Sequence, residues 1–320
     1  MNRIYDSSLV YPKEKNALAI LCYKPSIEWC EFLDCLKEEY VIYLICDDYK
    51  NKSLYDSLSS SYNYLKIIFI SDSECIENNF TNSSSEAGTA GGKLALAWDK
   101  GLYYFSRLNT SHEYVWFIED DVFIPHKNTL NNLDIKYSDC DLLCSNHRIN
   151  SIGFIGTGYT GDNWIHWRDA VGMSDLPWFS SMVCVCRISK KLLLEISNHV
   201  KSKGRLFFIE ILFNTIAYHN KLTILVLPEL GKLQIHLISR FSKKSIFEDH
   251  FYHPFKDFNQ QKIWREGVEA EGYSLWFMNG TNGPTTLTFT NLKFAVEKKV
   301  KQLLIKILYP TYSILKKCLQ

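Results

Sequence analysis

Three consecutive carboxylates, Glu119-Asp120-Asp121, stand between two apolar, β-prone runs, Val115-Trp116-Phe117-Ile118 and Val122-Phe123-Ile124, and Pro125 closes the stretch. A strand of that composition is suited to burial. Burying acids without partners is costly or forces them to take up protons. A cation or a polar ligand at the strand's end would resolve the conflict. Mg²⁺ and Mn²⁺ accept carboxylates and complete their shells with water and phosphate oxygens. The trio is therefore read as the protein side of a metal–diphosphate site. The plainer reading is a strand that runs into an acidic turn.

Such a trio needs a scaffold, and the preceding residues supply one. Residues 17–23 read as a buried strand stopped by Lys24-Pro25, with Ser26 able to cap a helix in which Ile27, Phe32, Leu33 and Leu36 recur at helical spacing. Residues 40–46 form a second strand ending in Asp47-Asp48, and 65–70 a third ending in Ser71-Asp72. Strand, helix, strand is the pattern of a parallel sheet, whose ligands bind beyond the carboxyl ends of its strands. There Asp47, Asp48, Asp72 and Glu119–Asp121 would gather. Gly88-Thr89-Ala90-Gly91-Gly92-Lys93 precedes a helix expected over 94–105, so free backbone N–H groups and Lys93 could meet a phosphate. The order is neither a P-loop nor a dinucleotide fingerprint, and a flexible loop with an exposed lysine reads equally well.

Further along, 140–145 and 182–186 read as strands, 190–201 and 206–218 as helices, and 223–227 as a closing strand; no internal repeat is visible. Asn163, Trp164, His166, Trp167 and Arg168 offer a sugar-facing surface, because aromatic rings suit the apolar faces of sugars. The same residues could equally be a loop packed on the core.

Composition bounds the alternatives. The 320 residues, 46% hydrophobic and 22% charged, can bury a sizeable core, and a formal charge of +1 gives no general attraction for nucleic acid. Of the ten cysteines, Cys22, Cys46, Cys144, Cys184 and Cys186 lie in apolar strand-like runs. Cys184-Val185-Cys186 reads as strand alternation, and no CxxC pair or zinc-type spacing occurs. A reduced, cytoplasmic setting is expected. Residues 1–6 show no apolar signal region, no segment is long and apolar enough to span a bilayer, and the sequon Asn279-Gly280-Thr281 then means little.

Ile118-Glu119-Asp120-Asp121-Val122, with Pro125 after it, resembles the Glu-Asp-Asp form of the DXD motif in GT-A glycosyltransferases. It looks closest to the N-acetylglucosaminyltransferase type and to bacterial lipopolysaccharide glycosyltransferases. Leu21-Cys22-Tyr23-Lys24-Pro25-Ser26, Ile45-Cys46-Asp47-Asp48, and Arg187-Ile188-Ser189 followed by Gly204 and Glu210 are similar to GT-A-like proteins. The resemblance spans residues 17–253, and the acidic motif is its one strongly specific part. It implies an α/β, GT-A (Rossmann-like) mixed, mainly parallel sheet flanked by helices. It also implies a nucleotide-diphosphate sugar donor held through Mn²⁺ or Mg²⁺, and a hexosyl- or N-acetylhexosaminyltransferase activity on a glycan or lipid-linked acceptor, by inversion.

By position within that resemblance, Asp121 would ligate the metal directly, while Glu119 and Asp120 would contact the ribose or the ion's waters, with Glu119 a further ligand candidate. Asp47 or Asp48 would bind the base, and Asp72 and Lys93 would line the donor pocket. His253 would complete the metal shell and Lys256 would cover the phosphates, with His250 close enough to compete. An inverting transfer also needs a base near the acceptor hydroxyl. Glu210, in Phe207-Phe208-Ile209-Glu210-Ile211-Leu212, is the candidate, because so apolar a segment would raise its pKa. Asp175 and Asp169 compete with it, and Glu210 could instead pair with a basic residue.

A catalytic domain is expected over 1–260, with 17–125 as the nucleotide-sugar half and 126–260 as the acceptor half. An extension over 261–320 follows. In it Val296, Val300, Leu303, Leu304, Ile307 and Leu308 share one helical face, with Lys298, Lys299, Lys301 and Lys306 off it. Such a basic amphipathic helix either rests on an anionic membrane surface, here the cytoplasmic face, or docks on the domain. Two other functions remain. A sugar nucleotidylyltransferase would carry a Gly-rich, basic loop directly after the first strand, where this chain has Tyr23-Lys24-Pro25-Ser26. A non-catalytic carbohydrate-binding protein would bind no nucleoside diphosphate.

Overall fold

Strands β1 (Asn16–Cys22) and β2 (Tyr40–Cys46) are apolar almost throughout, and such strands need cover on both faces. The computed structural model, which describes residues 15–48, 52–85, 95–158, 163–230, 249–255 and 257–271, provides it. Alternate residues of β1 enter separate cores, Ala17, Ala19 and Leu21 on one side and Leu18, Ile20 and Cys22 on the other. Lys93, Lys256 and the segment 296–308 lie outside the described residues.

The remaining strands are β3 (Leu65–Ile68), β4 (Tyr114–Glu119), β5 (Leu142–Cys144), β6 (Arg148–Asn150), β7 (Trp178–Ser180), β8 (Val185–Ser189) and β9 (Ile224–Val226). Seven of them form one sheet in the order β3-β2-β1-β4-β8-β5-β9, and β6 pairs with β7 in a separate antiparallel ribbon. Within the large sheet only β8 runs against its neighbours; the pairings that do not involve it are parallel. The fold is thus the expected α/β type, a mixed, mainly parallel sheet flanked by helices.

Parallel neighbours require crossovers. These are α1 (Ile27–Leu33), α2 (Lys52–Ser61), and the pair α3 (Asp72–Glu77) and α4 (Ala97–Tyr103). After β4 come α5 (Thr129–Lys136), α6 (Lys190–Lys203), α7 (Ile209–His219) and α8 (Phe258–Glu271). Ser26 caps α1 as expected, its Oγ accepting the Trp29 N–H at 3.1 Å. Helix α7 starts three residues later than its apolar pattern suggests. The Leu206 and Ile209 N–H groups donate instead to Thr81 and Ser83 carbonyls at 3.0 and 2.9 Å. The strand expected over 182–186 begins at Val185, because the Met182 N–H donates to Asn146 Oδ1 rather than to a ladder.

The expected boundary at residue 260 falls inside α8, whose Trp264 and Arg265 are buried. Arg265 Nε donates to the Ile124 carbonyl at 2.9 Å, and the Trp264 ring packs edge-on against Phe123 and Phe255. The start of the expected extension is therefore part of the body that carries β4.

Ser189 ends β8 and starts α6. Its Oγ accepts the Leu192 N–H at 3.2 Å and donates to Asp141 Oδ1 at 2.8 Å. Burial would raise the Asp141 pKa, but hydrogen bonds from Thr223 and Ser189 outweigh it and hold the carboxyl below its ordinary value. A group depressed in the folded state stabilises above its unfolded pKa, about 3.9, and loses that contribution as pH falls through the folded value. Ser189→Ala should cost about 1–2 kcal/mol at neutral pH in urea unfolding, and the difference from the parent should shrink below about pH 4.

Candidate functional site

The acidic run leaves the sheet where β4 lies between β1 and β8. The Glu119 N–H donates to the Cys184 carbonyl at 2.9 Å, the Asp120 N–H to Leu21 at 3.0 Å, and the Val122 N–H back to Glu119 at 3.0 Å. Two indoles fix the turn further. Trp29 Nε1 donates to the Asp120 carbonyl at 2.6 Å, and Trp98 Nε1 to Glu119 Oε1 at 2.8 Å. The chain therefore holds both the backbone and one carboxylate in place.

His253 arrives from far along the sequence by a short backbone splice. Phe123 and Tyr252 exchange N–H···O bonds at 2.8 and 3.2 Å, and the Phe255 N–H donates to the Asp121 carbonyl at 2.6 Å. Phe251, Tyr252 and Phe255 are buried; Phe251 packs on Trp116, while Tyr252 and Phe255 pack on Phe123. Gln261 of α8 donates to the Phe255 carbonyl at 2.7 Å. So anchored, the segment brings His253 Nε2 to 3.1 Å from Asp121 Oδ1 and 3.5 Å from Glu119 Oε2. Its Nδ1 is buried and has no hydrogen-bond partner among the described residues. Glu119, Cys184 and His253 present ligand atoms all within 4.8 Å of one another. His250 instead pairs with Asp249 at 2.6 Å.

A second cluster forms at the carboxyl ends of β2 and β3. The Asp47 N–H donates to the Cys22 carbonyl and the Asp48 N–H to Tyr23, carrying the register of β1 and β2 past their ends. The fully buried Lys100 Nζ of α4 lies 3.0 Å from Asp47 Oδ1, 2.9 Å from the Asp47 carbonyl and 2.9 Å from Asp72 Oδ1. Burial alone would lower the Lys100 pKa, but the hydrogen bonds and charges of Asp72 and Asp47 reverse the effect and leave it raised. Asp48 is a shallower neighbour, 3.6 Å from Lys24 Nζ, with its carbonyl accepting from Tyr55.

Glu210 sits in the first turn of α7, whose start is held by the Ile209–Ser83 bond and by the Ser181 N–H donating to the Glu210 carbonyl at 2.8 Å. Burial, and after it the Glu119 charge, pushes its carboxyl up to about 7, with Arg148 and His253 pulling the other way. Glu210 therefore feels Glu119 and the late histidine together. Asp175 does not join them. Its carbonyl oxygen lies 3.0 Å from Nε2 of His219, the last residue of α7, and about 13 Å of helix separates that end from Glu210. Asp169 is buried, and its Oδ2 shares the Ser85 hydroxyl with His166 Nδ1.

Of the aromatic stretch, Trp164 and Trp167 are buried in the core, so the packing alternative describes them. Asn163 accepts the Gly158 N–H at 2.7 Å on its carbonyl. A Cβ at Gly156 would lie 2.1 Å from the Asn163 carbonyl carbon, so only glycine fits there. Sequence reasoning passed over Trp98, Lys100 and Cys184. Each meets its partners only through the crossovers and the antiparallel entry of β8.

No protein-family model and no curated protein sequence matches the chain. Among solved structures it is similar to the galactosyltransferase LgtC in complex with donor and acceptor sugar analogs, at 9% identity and a TM-score of 0.41 over 78% of this chain and 95% of that one. It is also similar to mouse xyloside xylosyltransferase 1, at 8% identity and 0.38 over 75% and 97%. A third is the 4-diphosphocytidyl-2C-methyl-D-erythritol synthase of Anaerococcus prevotii, at 9% and 0.39 over 67% and 86%. Likeness at this level concerns the path of the chain, and the functional argument rests on the residues.

Proposed function

We propose that the protein is a metal-dependent glycosyltransferase that moves a sugar from a nucleoside-diphosphate donor to a glycan or lipid-linked acceptor, with inversion. The observation that carries this reading is the placement of His253 Nε2 against Asp121 and Glu119 at the carboxyl end of β4. Two carboxylates and one imidazole suit Mn²⁺ or Mg²⁺, which complete their shells with water and phosphate oxygens. Nδ1 of His253 is buried without a hydrogen-bond partner among the described residues, and Nε2 is the atom that faces the carboxylates. Glu119, Asp121 and His253 would hold the ion, and Trp98 would keep Glu119 turned toward it. When bound, the ion offsets the negative charge that grows on the departing diphosphate.

The other residues take roles that their positions support. Asp47 and Asp48 would meet the base and ribose, with Lys100 pinning Asp47 and Asp72 to the scaffold. Asp120 would act through the ion's waters, and Lys93 and Lys256 remain assigned to the phosphates. Glu210 would take the proton of the acceptor hydroxyl, since a carboxyl near 7 gains and loses a proton in the working range. Arg148, whose charge reaches Glu210, shares a pocket with the exposed Ile149, Ile152 and Phe154, a surface suited to an acceptor with an apolar part.

A screen of nucleotide sugars for slow, Mn²⁺-dependent hydrolysis tests the reading without knowledge of the acceptor. Hydrolysis of one donor class supports it, and its absence across UDP-, GDP- and dTDP-sugars argues for a binding protein. Once an acceptor is known, Glu210→Gln should lower kcat about 10²–10⁴-fold with little change in KM. The base works deprotonated, so the parent's rate should rise with pH up to a limb at or below about 7, because a bound cation would draw Glu210 down. The variant should lack that limb. If Asp175→Asn stops turnover while Glu210→Gln does not, the base lies elsewhere.

A further inference from the structure

Cys184 stands directly opposite Glu119, because the β4–β8 ladder pairs Ile118 with Val185 and the Glu119 N–H donates to the Cys184 carbonyl at 2.9 Å. Paired residues of antiparallel strands send their side chains to the same face. The Cys184 sulfur, a Glu119 oxygen and a His253 nitrogen accordingly lie within 4.8 Å of one another. Bonds of roughly 2.0–2.3 Å to nitrogen, oxygen and sulfur limit the span of a one-ion donor set to about 4.5 Å. Asp121, 3.1 Å from His253 Nε2, lies outside this set and would join it by turning its carboxylate toward Glu119 and Cys184. Disulfide formation does not compete for the sulfur, since Cys184 is free in the structure.

We infer that Cys184 is a sulfur ligand of the metal held by Glu119, Asp121 and His253, and that it biases the site toward thiophilic divalent ions and away from Mg²⁺. The inference rests on the metal reading above and sharpens it. Three oxygen and nitrogen donors leave Mg²⁺ and Mn²⁺ both acceptable, whereas a thiolate suits softer first-row ions and is a poor partner for Mg²⁺. On coordination the S–H bond breaks, its proton passes to solvent, and the sulfur lone pair forms the bond to the ion. No electron is transferred.

Co²⁺ titrated into the full chain is the probe, with binding measured by equilibrium dialysis and sulfur coordination by the near-ultraviolet sulfur-to-cobalt charge-transfer band. The band should appear as Co²⁺ binds and vanish in both Cys184→Ser and Cys184→Ala. It should persist in Cys22→Ser, which removes one thiol of the close pair Cys22 and Cys46, their sulfurs 3.8 Å apart. The preference for Co²⁺ over Mg²⁺ in competition should fall about tenfold or more in Cys184→Ser. Co²⁺ bound without the band, or a band that survives in both Cys184 variants, overturns the sulfur ligand while leaving the carboxylate–histidine site standing. Failure of Co²⁺ to bind at all overturns both.

Discussion

Lys100→Met is expected to destabilise the fold by about 3–4 kcal/mol at neutral pH. The side chain is fully buried, and its ammonium is placed between Asp47 and Asp72. Methionine fills a similar volume but leaves two carboxylates facing each other without a cation, and a broken buried pair costs far more than the pair contributes when intact. Asp72 is about one-third exposed, so water screens part of the loss and the lower end of the usual range applies. The raised Lys100 pKa adds a signature. Its stabilisation is fully present below the unfolded lysine value, about 10.4, and is lost as pH rises through the folded value. Urea melts of the parent should therefore show an alkaline decline that is steeper than that of Lys100→Met. Buried tyrosines contribute equally to both proteins, so the difference isolates the lysine. Equal stability of parent and variant at pH 7 would mean that the charge cluster is not structural.

Asp121→Asn is expected to lower donor turnover by about 10³-fold, corresponding to about 4 kcal/mol of lost charge stabilisation at the leaving group. The amide is isosteric, and the Asp121 carbonyl that receives the Phe255 N–H is unchanged, so the fold and the placement of His253 should persist. Asp120→Asn should cost about tenfold or less, because Asp120 is held by its backbone bonds to Leu21 and Trp29 and, on the proposed reading, would act only through the ion's waters. If the two variants are equally impaired, the assignment of Asp121 as direct ligand fails. If neither is impaired, the acidic run is a turn and nothing more.

Strands β1, β2 and β4 were legible because each is a nearly continuous apolar run whose residues alternate between two cores. Acids at strand ends stood out against that background, and the structure divides them between two clusters, Asp47 and Asp72 on Lys100 and Glu119 and Asp121 on His253. The direction of β8 was not legible, since a strand buried on both faces reads the same either way. With it went Cys184, which passes for strand alternation until the antiparallel ladder sets it against Glu119. Lys100 was missed for a related reason. On paper it is a polar position of a helix, and its partners Asp47 and Asp72 lie 53 and 28 residues earlier in sequence. Trp164 and Trp167 looked able to face a sugar, but indoles also fill cores, and only packing separates the two uses. His253 was suggested by resemblance alone. Its placement depends on the Phe123–Tyr252 splice and on α8, neither of which leaves a periodic mark in the sequence.

The central claim is that the acidic end of β4 binds a diphosphate through a metal ion. Thermal unfolding of the parent with UDP or GDP, with and without Mn²⁺, tests it most directly. At a ligand concentration about 100 times Kd the stabilisation is about 2.7 kcal/mol, a rise in Tm of about 4–5 °C for a domain of this size. The account predicts that rise only when nucleotide and Mn²⁺ are both present, and its loss in Asp121→Asn. A nucleotide shift of equal size without metal, or one retained in Asp121→Asn, would contradict it.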